Sequence, residues 1–133
     1  MERNDAGMGA PTDGEGANVW IIPDGYLPRG GKGIDSHEAI CVLNTGAAPA
    51  RLVVTAYYAD RPPQSGASVT VPAERDVHLR LDVPGDIGGL EIPQEVPYGL
   101  RVECDRPLVV QHSRLDTRLG GMALFTTLGY RVS

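Results

Sequence analysis

No apolar run in this chain of 133 residues approaches the roughly 18 residues that a membrane-spanning helix needs. The first residues also lack the basic-then-apolar pattern of a secretory leader, so the expectation is a soluble, cytoplasmic protein. Helical periodicity is missing too: no stretch repeats apolar residues three and four apart, and no internal repeat stands in for it. Aromatic residues make up only 5%, with one Trp and one Phe. Lysine is almost absent, Lys32 standing alone beside eleven arginines. That bias fits Arg-rich polar networks, and it equally fits a GC-rich genome. No basic run exists and the formal net charge is −5. Such a chain gains little from counterion release on a phosphate backbone, so no nucleic-acid partner is expected. The two cysteines, Cys41 and Cys104, lie in apolar strand patterns, where a free thiol behaves as a small buried hydrophobe.

What the chain does have is 17 Gly and 11 Pro among 41% hydrophobic residues, a composition for short strands joined by turns. Residues 1–18 carry −3 of the −5 net charge and almost nothing to bury, which predicts a disordered acidic arm. Residues 19–133 are expected to form one domain. Its strands are read at Val19–Ile22, Ser36–Asn44, Arg51–Tyr58, Ala67–Val71, Arg75–Asp82, Tyr98–Cys104, Pro107–Arg118 and Met122–Tyr130. Asp105-Arg-Pro107 is read as a turn, and Arg29-Gly-Gly-Lys-Gly33 as a flexible surface loop without phosphate-loop features. About eight strands without helix predict an all-β, single-domain antiparallel β-sandwich. Strands apolar on both faces at 39–43, 52–58 and 122–128 exceed what one small core can use, and the surplus points to burial between subunits.

One stretch places charge where charge is expensive. In Pro107-Leu-Val-Val-Gln-His-Ser-Arg-Leu-Asp-Thr-Arg118, the even positions Leu108, Val110, His112, Arg114, Asp116 and Arg118 share one face of an extended chain. If Leu108 and Val110 face the core, His112 and Arg114 follow to its rim, and an unpaired guanidinium there would cost several kcal/mol, about the order given for buried ions. Asp116 is the nearest same-face partner, with Arg114 and Arg118 on either side of it. An Arg-Asp-Arg network locking a strand end is one reading; a site for an oxygen-rich small molecule, using Gln111, His112 and planar Arg donors, is the other. His112 is assigned to the ligand, and Arg114, Asp116 and Arg118 to self-pairing.

Three further sets are candidates. His37, His78 and His112 with Glu38 are suitable metal ligands by type, but no two His lie within a short motif, so a metal-dependent enzyme remains an alternative and no cofactor is expected. Ser36 and Ser113 lack a nucleophile-elbow context. Trp20 and Tyr26 flank a Pro-Asp-Gly turn and suit either a stacking wall for a sugar ring or ordinary core packing.

The segments Trp20-Ile-Ile-Pro-Asp-Gly-Tyr-Leu-Pro28, Ser36-His-Glu-Ala-Ile-Cys-Val-Leu-Asn44, Ala56-Tyr-Tyr-Ala-Asp60, Thr70-Val-Pro-Ala73 with His78 and Arg80, and Val109-Val-Gln-His-Ser-Arg-Leu-Asp-Thr-Arg118 come in an order that resembles the sensory rhodopsin transducer family. The resemblance runs from Trp20 to Tyr130. It implies a cytoplasmic β-sandwich that assembles as a homotetramer and signals without catalysis. It also implies two kinds of partner, the cytoplasmic face of a microbial rhodopsin and a small, sugar-like ligand. The ligand-binding set is then Trp20, His37, Glu38, His78, Arg80, Gln111, His112, Arg114 and Asp116.

Overall fold

A computed structural model describes residues 13–29 and 36–133 of the chain. Nine antiparallel strands follow one another: β1 Ala17–Gly25, β2 His37–Asn44, β3 Ala50–Tyr57, β4 Gln64–Ser65, β5 Val69–Val71, β6 Arg75–Arg80, β7 Tyr98–Asp116, β8 Ala123–Leu128 and β9 Tyr130–Arg131. A 3-10 turn at Pro84–Ile87 is the one helical element among the described residues. The fold is an all-β sandwich, as the turn-rich composition and strand alternation require.

β7, 19 residues long, belongs to both layers. Its first part lies between β3 and β1, with Val54 and Trp20 both opposite Val102. Its second part lies between β2 and β8, with Ile40 and Thr127 both opposite His112. β4 and β5 extend the first layer beyond β3, and β9 extends it beyond β1. β6 extends the second layer beyond β2.

The turn expected at Asp105-Arg-Pro107 does not form; the strands read on either side of it are one. Pro107 is tolerated because the register between β1 and β7 shifts there, from Val19 opposite Glu103 to Ala17 opposite Leu108. A residue without an N–H costs little where the ladder is already interrupted. Asp105 meanwhile accepts from the Arg51 backbone N–H at 2.7 Å, replacing a ladder bond with a side chain.

Because the strand does not turn, its inward parity survives. Tyr98, Leu100, Val102 and Cys104, then Leu108, Val110 and His112, all point inward and are buried. They meet Leu52 and Val54 of β3, Ile40 and Val42 of β2, and Trp20 and Ile22 of β1 in one core. Leu79 and Leu81 from the strand with the cleanest alternation close its side.

The strand bounds differ from the expectation most at the two ends of the fold. β1 starts at Ala17, so two residues assigned to the arm at 1–18 belong to the sheet, and residues 1–12 lie outside the described residues. Most of the loop read at 29–33 also lies outside them. The last strand breaks at Gly129, where an added Cβ would sit 3.3 Å from both the Trp20 ring and the Val110 carbonyl oxygen. There the chain leaves β7 and crosses to β1 as β9.

Burial of the three strands read as apolar on both faces also differs from one to the next. β3 alternates, with Arg51 and Tyr57 exposed, so it needs no second cover. β2 is buried on its inner face and opens toward Leu43. Only β8 is exposed at every position.

Candidate functional site

The register of β2 on β7 sets Glu38 opposite Arg114 and Ile40 opposite His112. All four point to the interior, so the inner face of the second layer ends in charge. Glu38 is fully buried and His112 almost so. The carboxylate accepts from four donors: the Tyr98 hydroxyl, His112 Nε2 at 3.1 Å, Arg114 Nε, and the Tyr26 backbone N–H at 3.1 and 3.2 Å. A buried carboxylate survives when its lone pairs are filled in this way.

Burial pushes the Glu38 carboxyl up, but hydrogen bonds from His112, Tyr98 and Arg114, with Arg114's charge, outweigh it and hold it below the usual carboxylate range. Tyr98 moves the opposite way: burial, then the Glu38 charge beside it, raises its hydroxyl above the ordinary tyrosine value. Its proton therefore stays on oxygen and is given to Glu38 as a hydrogen bond.

The segment after β1 lies over this cluster. Besides the Tyr26 N–H bound by Glu38, Arg114 Nη2 donates to the Asp24 carbonyl at 3.4 Å. Gly25 is required because a Cβ there would come within 2.3–2.8 Å of the Tyr98 ring. Further on, the Arg118 guanidinium lies 5.7 Å from the Tyr26 ring centroid, and the Glu95 N–H donates to the Leu27 carbonyl at 2.7 Å.

A groove of about 380 Å³ opens beside His112. Ile22, Pro23 and Asp24 form one side, and Phe125, Thr127 and Leu128 the other, with Gly129 and Tyr130 at the bend. It arises where β1 and β8, both neighbours of β7, diverge. Its size falls inside the range of about 300–1,000 Å³ typical of small-molecule sites.

Of the nine residues read as ligand-binding, the structure brings together Glu38, His112 and Arg114. Arg114 pairs with Glu38 rather than with Asp116, which correction follows from register: a partner directly across the ladder is closer than one two residues along the same strand. Asp116 instead takes Arg118, at 2.7 Å, and that hydrogen bond is the main cause holding its carboxyl at about 2.

Gln111 and His78 point to the outer face, both opposite Cys41. His78 is exposed and sits 3.4 Å from Asp76. Arg80 is held by Asp82 at 2.6 and 2.7 Å, also on the outside. His37 is half-buried at the start of β2; burial pushes the Asp82 carboxyl up, but the hydrogen bond and charge of Arg80 outweigh it and hold it below the usual carboxylate range. Trp20 is core: its indole N–H donates to the Leu108 carbonyl at 2.8 Å and the Ala17 carbonyl at 3.2 Å, so it offers no stacking wall.

The three histidines therefore do not converge, since His78 and His112 occupy opposite faces of one layer. Among the described residues no group of three His, Cys, Asp or Glu could hold a metal ion. Ser36 is engaged with Thr117, whose backbone N–H donates to its hydroxyl at 2.9 Å.

Tyr98 was not among the sequence candidates. The signal was present, because even positions point inward from 98 as well as from 108, but a turn between the two runs hid their common parity. Phe125 and Thr127 were visible only as part of the apolar surplus at 122–128, and Tyr130 only as the end of the last strand.

Comparison with known proteins agrees with the fold. The protein family described as Anabaena sensory rhodopsin transducer matches residues 15–131. Among solved structures, the crystal structure of Thermotoga maritima 1070 is 38% identical, covers 88% of this chain and 96% of its own, and superposes with a TM-score of 0.78. The Anabaena sensory rhodopsin transducer is 35% identical, covers 74% of this chain and 95% of its own, and gives a TM-score of 0.65. No curated protein matches.

Proposed function

The chain belongs to the Anabaena sensory rhodopsin transducer family, and from that premise we propose that it is a non-catalytic signalling module of the cytoplasm, a homotetramer that binds an oxygen-rich, sugar-like small molecule in the groove beside His112. The observation that carries this reading is the juxtaposition of His112 and Asp24 with two exposed aromatic rings, Phe125 and Tyr130, around one groove. A sugar ring presents an apolar C–H face and a rim of hydroxyls. Aromatic rings suit the first, and an imidazole, a carboxylate and the Thr127 hydroxyl suit the second.

The Glu38 cluster has a supporting part in this reading. Glu38 engages His112 at Nε2, which leaves Nδ1 for a ligand and fixes the ring's orientation. It also holds the Tyr26 N–H, and Arg114 holds the Asp24 carbonyl, so the groove wall at the end of β1 is tied to one buried carboxylate. Preorganised walls lower the cost of ordering on binding.

The test is a thermal-melt series with a panel of neutral sugars, polyols and sugar acids. A ligand present at about 100 times its Kd stabilises the native state by about 2.7 kcal/mol, which a melt reads directly. The shift should disappear in Phe125→Ala. A panel without any shift removes the sugar reading. The alternative, adaptor docking on the cytoplasmic face of a microbial rhodopsin, draws on the name of the Anabaena relative. Co-purification with a rhodopsin from the same organism, in light and dark, decides it.

A further inference from the structure

We propose that the cleft between the turn after β3 and the connection from β6 to β7 is a second ligand site, and that it takes a small zwitterion with apolar side chains, an amino acid or a di- or tripeptide. Its volume is about 840 Å³, inside the range typical of small-molecule sites. No residue that lines it also lines the groove beside His112.

Both walls are built into the backbone. A Cβ on Gly66 would collide with the Ile87 carbonyl, and one on Gly88 with the Ala67 carbonyl, so glycine lets the two segments touch there. The Ala67 N–H donates to the Gly88 carbonyl at 2.8 Å and joins the walls at that end. Farther along the walls part. Leu81, Leu90 and Ile92, all buried in the core, supply the apolar lining between them.

Three charged side chains line the same cleft: Arg61 on one wall, Asp82 and Glu91 on the other. Arg61 is fixed twice, although its side chain is 39% exposed. Asp60 accepts from its Nε at 2.9 Å and its Nη2 at 3.3 Å, and the guanidinium carbon lies 5.1 Å from the Tyr58 ring centroid. Both Nη1 donors are left for an acceptor from outside. Asp82 takes one hydrogen bond from Arg80 on each oxygen, at 2.7 and 2.6 Å, and each oxygen keeps a further lone pair. Glu91 is exposed and has no ionic partner among the described residues. It is the one lining charge that the protein does not answer.

That charge selects the ligand. A phosphate or nucleotide would be repelled by Glu91 and Asp82, and a neutral sugar carries no cation for them. A bare amine meets the acidic wall but leaves Arg61 unused. A zwitterion with apolar side chains engages every part: its ammonium meets Glu91 and Asp82, its carboxylate meets Arg61, and its side chains cover Leu81, Leu90 and Ile92. Hydrogen bonds between charged partners are about twice as strong as neutral ones, and two such anchors fix the ligand's direction in the cleft.

The experiment is calorimetric titration of the full chain with leucine and with leucyl-leucine. Two analogues accompany them, 3-methylbutylamine with the cation alone and N-acetyl-leucine with the anion alone. One of the zwitterions should bind about tenfold or more tightly than either analogue, and the tighter of the two identifies the source as free amino acid or peptide. Arg61→Gln and Glu91→Gln alter exposed side chains and should each weaken that binding about tenfold, with unchanged circular dichroism. Phe125→Ala, in the His112 groove, should leave it as it is.

Failure of both zwitterions to bind at about 10 mM overturns the inference. So does an analogue with one charge that binds as tightly as the zwitterion, or binding that survives both glutamine variants. Loss of binding in Phe125→Ala would place the ligand in the other groove and overturns it as well. If a zwitterion binds here while no sugar shifts the melt, the cleft stands and only the sugar reading fails.

Discussion

Glu38 and Arg114 face each other across β2 and β7, residue opposite residue in the ladder, and are also ion-pair partners. The carboxylate end is fully buried while the guanidinium side chain is 26% exposed. One charge is therefore solvated by the protein and the other partly by water. The pair marks the place where the core ends and the groove region begins.

Removing the buried member should be the more damaging change. Glu38→Ala leaves Arg114, His112, the Tyr98 hydroxyl and the Tyr26 N–H without their common acceptor. Breaking a buried pair costs about 3–5 kcal/mol, and the lower end applies because Arg114 keeps contact with water. Glu38→Gln retains an acceptor and should lose less, about 1.5–3 kcal/mol. Urea denaturation of both variants measures the difference. Equal stability of wild type and Glu38→Ala would show that the cluster contributes nothing to folding.

The same carboxylate sets an acid limb. Its folded pKa lies below the ordinary value of 4.5, so the unfolded chain binds more protons as pH falls past that value. Stability from Glu38 is fully present above about pH 4.5 and is lost as pH drops toward the folded value. Asp82, Asp105 and Asp116 are displaced in the same direction at more exposed positions, where screening reduces their share. Chemical denaturation between pH 3 and 7 should give a steeper slope for wild type than for Glu38→Gln, and parallel curves would assign the limb to other groups.

Tyr98→Phe tests the hydroxyl alone. The ring stays and the core volume is conserved, but Glu38 loses one of its four donors. A hydrogen bond to a charged acceptor is worth about 1.5–3 kcal/mol, and the loss should fall within that range in urea. The acid limb should also be smaller and level off at higher pH, because a donor that lowers the folded carboxyl has gone.

Gly25→Ala tests the strap over the cluster. A Cβ at 2.3–2.8 Å from the Tyr98 ring forces the ring or the strap to move, at a cost of about 1–3 kcal/mol typical of overpacking. If the strap moves, amide exchange at Tyr26 should accelerate more than exchange in β3, which hydrogen-exchange mass spectrometry resolves.

Cys104 should be chemically silent in the native protein. Burial, then the charges of Asp105 and Glu103, pushes its thiol up to about 12. At pH 8 only about one molecule in ten thousand then carries the thiolate that reacts. A chromogenic disulfide reagent should modify Cys104 only after denaturation. Rapid native reaction would place it at the surface.

Much of this architecture was legible in the residues. Alternation in Arg75–Asp82 and in Tyr98–Cys104 assigned the inward positions correctly, and the charged end of β7 was recognisable as a place needing partners. The segments quoted from Trp20 to Arg118 identified the family. Asp105-Arg-Pro107 misled, because proline and aspartate signal a turn whenever the neighbouring strands are unknown. In the sheet, the same residues occupy a register shift, where a missing N–H and a side-chain acceptor are what the geometry needs.

By itself, then, the sequence determined most of the strand positions, their inward faces and the need for charge compensation at His112 and Arg114. Those are local properties, set by side-chain alternation every second residue. Tertiary structure alone decided that Arg114 answers to Glu38 and not Asp116, and that Tyr98 joins them. Each of those outcomes depends on which residue lies opposite which. Register belongs to the whole sheet, because it is set by packing both faces at once, and residues 74 or 76 positions apart meet only when that packing is complete.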